Sequence, residues 1–215
     1  MLIGANAEEG ELLIELPAPT YDSGVSLEEA ILSRRSVRSF TADSLAPADL
    51  AQLLWACQGV TSPNGYRAAP SAGALYPLEL YVVIGRVKDL TPGLYHYRPG
   101  RDIGSHSIEM VHSDVTLQDV AEAALGQKCI TDAACCLIVT GVVERTRVKY
   151  GKRARQYVLL EAGHAGQNVC LQAQSLELGA VTVGAFHDDR VRALLGVEHL
   201  PLYLLPVGHP HSAGR

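Results

Sequence analysis

The sequence predicts an α+β fold, and three observations carry that expectation. Strands and helices follow one another without the regular βαβ alternation of a doubly wound sheet. Residues 149–178 form a long periodic stretch with no proline, enough for a helix that spans the domain. Residues 134–143 are apolar on both faces, as a strand covered on either side must be. The chain has 215 residues, 47% hydrophobic and 19% charged, so it reads as one domain (1–215) able to bury a sizeable core.

The elements follow in order. Residues 1–25 read as an N-terminal arm, extended over 11–25, where Pro17 and Pro19 discourage helix. Ser26 with Glu29 makes a capping box, opening a helix that runs out near Arg34. A second helix is expected over 46–57. Pro47 sits in its first turn, Gly59 is its stop, and Leu50, Leu53, Leu54 and Cys57 form one buried face. The stretch 60–77 is rich in Gly, Pro, Ser and Asn and reads as a loop. Strands are expected at 80–84, 94–97 and 108–111, and a short helix at 115–125 with Thr116 as cap. After the strand at 134–143, the long helix is expected to open at Lys149-Tyr150 and end at Gly179. Its middle holds Gly163 and Gly166, each costing roughly 1 kcal/mol relative to alanine, which implies close approach of another backbone or a flat ligand. A short helix at 188–195 and a strand at 202–207 complete the chain.

Composition narrows the function. A net charge of -5 argues against non-specific binding to nucleic acid or a membrane surface. Residues 1–10 carry acid rather than base and do not read as a signal peptide. No apolar run is long enough to span a bilayer. The five cysteines contain no CxxC pair, and Cys135-Cys136 lies in an apolar run, which fits a reducing compartment. A soluble cytoplasmic protein is the expectation. No metal site is expected, since the HxH of His209 and His211 is the pattern of a solvated tail. His164 reads as a hydrogen-bonded interior histidine.

Three motifs suggest chemistry. Arg34-Arg35-Ser36-Val37-Arg38 places three guanidiniums and a hydroxyl within five residues, just after a helix ends. Guanidiniums bind phosphate oxygens bidentately, and three together repel unless an anion balances them. A solvated basic loop is the competing reading, and the motif alone leaves both open. Pro70-Ser71-Ala72-Gly73, within the small-residue run 67–77, would let backbone groups approach a planar ring. Gly184-Ala185, after the strand-like 180–183, would present a backbone N–H to a ring nitrogen. Either stretch by itself is also an ordinary turn. GxGxxG, Walker A and GxSxG patterns are absent, so a Rossmann nucleotide site, a P-loop and a hydrolase elbow are unsupported.

In this order, the motifs resemble the nitroreductase-like flavoprotein superfamily, closest to its SagB-type, thiazole/oxazole-forming dehydrogenase branch. The likeness is carried by residues 33–40, 70–80, 93–97, 159–168, 184–186 and 202–210, nearly the whole chain. It implies a central antiparallel-dominated sheet flanked by helices, in an intertwined homodimer with FMN at the subunit interface. By resemblance, Arg34, Arg35, Ser36 and Arg38 hold the phosphate and ribityl chain and reach the pyrimidine ring. Pro70, Ser71, Ala72 and Gly73 contact the flavin from the other subunit, and Gly184 and Ala185 contact the ring. Arg215 stands where relatives place a basic residue for the phosphate. Where such proteins carry an Asn in the serine loop, this chain has Ala74 or a neighbour. The catalytic Lys-Tyr pair of azoline-oxidising relatives matches Lys149-Tyr150, whose competing reading is a solvated charged helix start.

The implied function is an FMN-dependent dehydrogenase or oxidase moving a hydride between substrate and flavin N5, with a small molecule or modified peptide as substrate. Two alternatives stand beside it. One is an NAD(P)H-dependent nitroreductase or quinone reductase. The other is a non-catalytic partner subunit of a peptide-modifying complex, which the intact arginine–serine motif disfavours.

Overall fold

The structure, a computed structural model, describes residues 13–211. Arg215 and the first twelve residues of the expected arm lie outside them.

A seven-stranded sheet forms the middle layer, in the order β1-β4-β3-β2-β5-β7-β6. Its strands are β1 (Leu13–Glu15), β2 (Leu78–Ile84), β3 (Gly93–Pro99), β4 (His106–His112), β5 (Cys135–Gly141), β6 (Gly179–Ala180) and β7 (Leu200–Gly208). Every pairing of named strands is antiparallel. The fold is nitroreductase-like, α+β, as the sequence predicted.

The strand expected at 134–143 is β5, shorter by a few residues. It lies between β2 and β7, and all seven of its residues are buried. Alternation along it feeds two cores. Cys135, Leu137 and Val139 face one, and Cys136 and Ile138 the other. β2 does the same, with Leu78, Leu80, Val82 and Ile84 on the first side and Tyr81 and Val83 on the second.

The helices cover these two faces. On the first, α2 (Pro47–Gln58) packs against the long α6 (Ala154–Ser175), with α1 (Leu27–Ser33) and α5 (Val143–Tyr150) also against α6. Leu50, Leu53, Leu54 and Cys57 of α2 are buried, as their spacing predicted. On the second face lie α3 (Leu117–Ala123), the four-residue α4 (Lys128–Thr131) and α7 (Asp188–Leu195). All five cysteines are free and buried, filling core positions rather than bridging.

Two expectations need correction. Lys149 and Tyr150 do not open the long helix; they close α5. Gly151 follows with φ +51, a single turn of 3-10 helix spans Gly151–Arg153, and α6 begins at Ala154. The left-handed backbone at Gly151 breaks the periodic run where side-chain pattern alone reads straight through. At the other end α6 stops at Ser175, and Gly179 is a strand residue rather than a C-terminal cap. A β-carbon on Gly179 would lie 2.6 Å from Val37 Cγ1, so glycine is needed for strand packing.

Candidate functional site

The basic motif leaves α1 as extended chain. Ser26 caps the helix by accepting from Glu29 N–H at 3.1 Å, and Arg34 N–H closes it on Ala30 C=O. Ser36 then bridges Ala180 in parallel, with Val37 N–H donating to Ala180 C=O at 3.0 Å. The motif therefore lies along the β6 edge of the sheet. Arg35, Ser36 and Arg38 are exposed and Arg34 is half-buried. Among the described residues, none of the three guanidiniums pairs with a carboxylate. Arg35 donates to Leu32 C=O and Arg34 C=O, which holds the turn. Arg34 and Arg38 make themselves felt on buried thiols. Burial raises Cys170 and Cys129, and the nearby positive charges of Arg34 and Arg38 respectively pull against it. A donor set of this kind fits a phosphate.

Gly184 and Ala185 lie farther along the segment that Ser36 joins. Val183 pairs with Leu204 of β7, and the two residues after it are exposed. Among the described residues, a β-carbon on Gly184 would meet nothing nearer than Tyr203 Cε1 at 4.0 Å. Ala185 C=O accepts from Gln127 Nε2 at 2.9 Å, which fixes the step. The structure thus brings the arginine–serine motif and the Gly-Ala step to one edge of the sheet.

The serine loop makes a second cluster with α5. Ala72–Ala74 is a single 3-10 turn, and Ser71 Oγ accepts from Tyr76 N–H at 2.9 Å. Gly73, Ala74 and Tyr76 all have positive φ (65°, 54° and 46°). Strain of this sort on non-glycine residues collects where function demands a geometry. A β-carbon on Gly73 would stand 3.0 Å from both Lys149 Nζ and Tyr150 Oη. Lys149, Tyr150 and the loop, seventy-odd residues apart in the chain, are therefore neighbours.

Sequence reasoning missed what holds this cluster. Arg145, one turn before Lys149 on α5, pairs with Glu79 Oε1 and donates to Tyr76 C=O at 3.1 Å. Glu79 Oε2 meets His96 Nε2 at 2.8 Å, and His96 stacks on Tyr81. Burial would raise the Glu79 carboxyl, but the His96 and Arg145 hydrogen bonds and charges outweigh it and hold the group at about 2. Arg67 donates to Gln58 Oε1 and lies over the Tyr76 ring. Glu161, on α6 behind the loop, is buried, and burial pushes its carboxyl up to about 7. Its only signal in sequence is a lone acid beside a run of Ala and Gly. His164, expected inside, is exposed.

The two clusters sit at different ends of α6 in one chain. The serine loop packs by Glu161 and Arg34 lies by Cys170, nine residues or about 13 Å of helix rise away. Among the described residues, no group of three or more His, Cys, Asp or Glu could hold a metal ion, and no helix is long and apolar enough to cross a membrane.

Comparison with known proteins decides the family. The nitroreductase family model matches residues 31–209, which take in both clusters.

The chain belongs to the nitroreductase family.

A nitroreductase-family membership implies an oxidoreductase. A protein of Methanocaldococcus jannaschii named as a nitroreductase is 41% identical over 195 residues, 91% of this chain and 96% of its own. A crystal structure from Anabaena variabilis, also named as a nitroreductase, is 26% identical with a TM-score of 0.77. It covers 97% of this chain, which spans only 45% of that protein. The E. coli microcin synthetase McbBCD complex, solved with truncated pro-MccB17 bound, contains a chain of the same fold. That chain is 22% identical, with a TM-score of 0.70, covering 90% of this chain and 76% of that one.

Proposed function

We propose that this nitroreductase-family protein is an FMN-dependent oxidoreductase of SagB type, working as a homodimer and oxidising a small molecule or a modified peptide. One observation carries the reading: Lys149 Nζ and Tyr150 Oη converge on Gly73, in the loop that the resemblance places against the flavin. Removing hydrogen from a C–H bond as a hydride requires a group to take the accompanying proton, and these two side chains are the candidates.

The residues fit the cofactor. Arg34, Arg35, Ser36 and Arg38 would hold the FMN phosphate and ribityl chain, and Gly184 and Ala185 would lie against the ring. The flavin, when bound, supplies the hydride chemistry. The separation of the two clusters along α6 supports a site completed by a second copy. So do the exposed apolar side chains Leu27 and Ile31 on α1 and Leu159 and Leu160 on α6.

A second reading, NAD(P)H-dependent reduction of a nitroaromatic or quinone, is favoured by the name of the 41% identical archaeal relative. The absorption spectrum of the purified protein, followed by anaerobic NADH and NADPH titration, separates the two. A yellow protein not bleached by either nucleotide supports the dehydrogenase. Rapid bleaching supports the reductase. A colourless protein that takes up no added FMN overturns both. A dehydrogenase with unimpaired turnover as Lys149→Ala would remove Lys149 from the proposed pair.

A further inference from the structure

Beneath the serine loop is a small cavity of about 240 Å³, lined by Pro70, Ser71, Ala72, Tyr157, Leu160, Glu161 and His164. Glu161 is only 3% exposed, yet among the described residues neither carboxyl oxygen has a hydrogen bond of ordinary geometry. Buried carboxylates without partners are costly, and a fold that keeps one keeps it protonated or uses it. The cluster at Gly73 lies beside this cavity, because the Tyr157 ring that lines it meets the Tyr150 ring edge-on at 4.8 Å. Ser71 joins the two. Its Oγ is occupied as an acceptor by Tyr76 N–H, so its own hydrogen is free to donate, and it lies close enough to Glu161 to lower the carboxyl's affinity for protons.

We propose that Glu161 is the proton-holding residue of this site, exchanging a proton through the Ser71 hydroxyl with the loop face where Lys149 and Tyr150 converge. The inference rests on the oxidoreductase reading. In the dehydrogenase direction, Ser71 O–H passes its proton to a Glu161 carboxylate oxygen as Ser71 Oγ takes one from the substrate side. Charge and atoms balance at each oxygen, and the hydride leaves separately. Glu161 acts through Ser71 and touches no substrate itself.

The surroundings suit a group that changes charge near neutrality. Burial raises the carboxyl to about 7, against the lowering pull of Ser71 and the Arg67 guanidinium. Tyr157 and His164 from α6 line the cavity with it, Lys149 and Tyr150 from α5 lie at Gly73 beside it, and the Arg67 that acts on it is also acted on by Tyr76, Glu79 and Arg145.

Infrared titration of the flavin-free protein tests the carboxyl without any turnover. The expected result is a protonated-carboxyl C=O band present at about pH 6, fading through about 7 and absent from Glu161→Gln. In the flavin-loaded protein, the single-turnover rate should rise about tenfold between about pH 6 and pH 8, as a single ionisation imposes. Glu161→Gln and Ser71→Ala should each lose that rise, Ser71→Ala while keeping the infrared band. A missing band in the wild type, or a pH rise that survives in Ser71→Ala, overturns the proposal. Should Glu161→Gln fail to fold, the wild-type band and Ser71→Ala still decide. Failure of the oxidoreductase reading would show differently, as a colourless protein whose carboxyl nevertheless titrates.

Discussion

A β-carbon on Gly73 would lie 3.0 Å from the Nζ of Lys149, closer than side chains tolerate without movement. Gly73 also has φ +65, where alanine is strained by about 1 kcal/mol. Gly73→Ala should therefore lower Tm by only about 2–4 °C. It should lower turnover by roughly tenfold or more, because it displaces Lys149 and Tyr150. Thermal melts and steady-state rates on the same preparation check this. Unchanged turnover would mean that the contact is incidental to the reaction.

Among the described residues Arg34 and Arg38 have no carboxylate partner, which leaves their charge to an anion. A hydrogen bond to a charged group contributes about 1.5–3 kcal/mol. Arg34→Ala and Arg38→Ala should each weaken FMN binding by roughly ten- to a hundredfold, with little change in Tm. Arg35→Ala should cost stability as well, since its guanidinium holds Leu32 C=O and Arg34 C=O. Fluorescence titration of FMN into the flavin-free protein measures the affinity. Repeating it at high salt should weaken the wild type most.

Arg145 and Glu79 should make the protein acid-sensitive. The Glu79 carboxyl is held at about 2, below its ordinary 4.5. Its contribution is therefore fully present above 4.5 and lost as pH falls toward 2. Arg145→Met should remove part of that slope, on the order of 2 kcal/mol, and should loosen Lys149 one turn along α5. Urea midpoints at neutral and acid pH test the slope. A variant with the wild-type acid profile would show that His96 alone sets it.

Glu161 should act in the opposite sense. Its carboxyl is raised to about 7, so its favourable contribution is complete below 4.5 and lost as pH rises through 7. Glu161→Gln, which stays neutral, should gain on the wild type by roughly 2–3 kcal/mol across that window. Parallel stability curves for the two proteins would show that the buried carboxyl does not titrate there.

Much of this protein was legible in its sequence. The doubly apolar β5, the buried face of α2, the Ser26 cap and the order of motifs are all local, set by the period and capping chemistry of single elements. That the Arg34–Arg38 motif meets the sheet edge beside Gly184 could be inferred only as a resemblance, because strand pairing joins Ser36 to Ala180 across 144 positions. The Lys149-Tyr150 pair was visible as residue types, but its position was misread as a helix start. The break at Gly151 is a backbone event that a side-chain pattern does not record. Glu79, Arg145 and Glu161 were not visible as site residues at all. A charged side chain looks the same in a sequence whether solvated or buried, and only tertiary packing shields Glu79 and Glu161 from water and brings the exposed Arg145 onto Glu79. The sequence determined which elements form and which basic groups are available to an anion. Tertiary structure decided which charges are desolvated, and desolvation is what turns an ordinary Glu into one that holds its proton near neutrality.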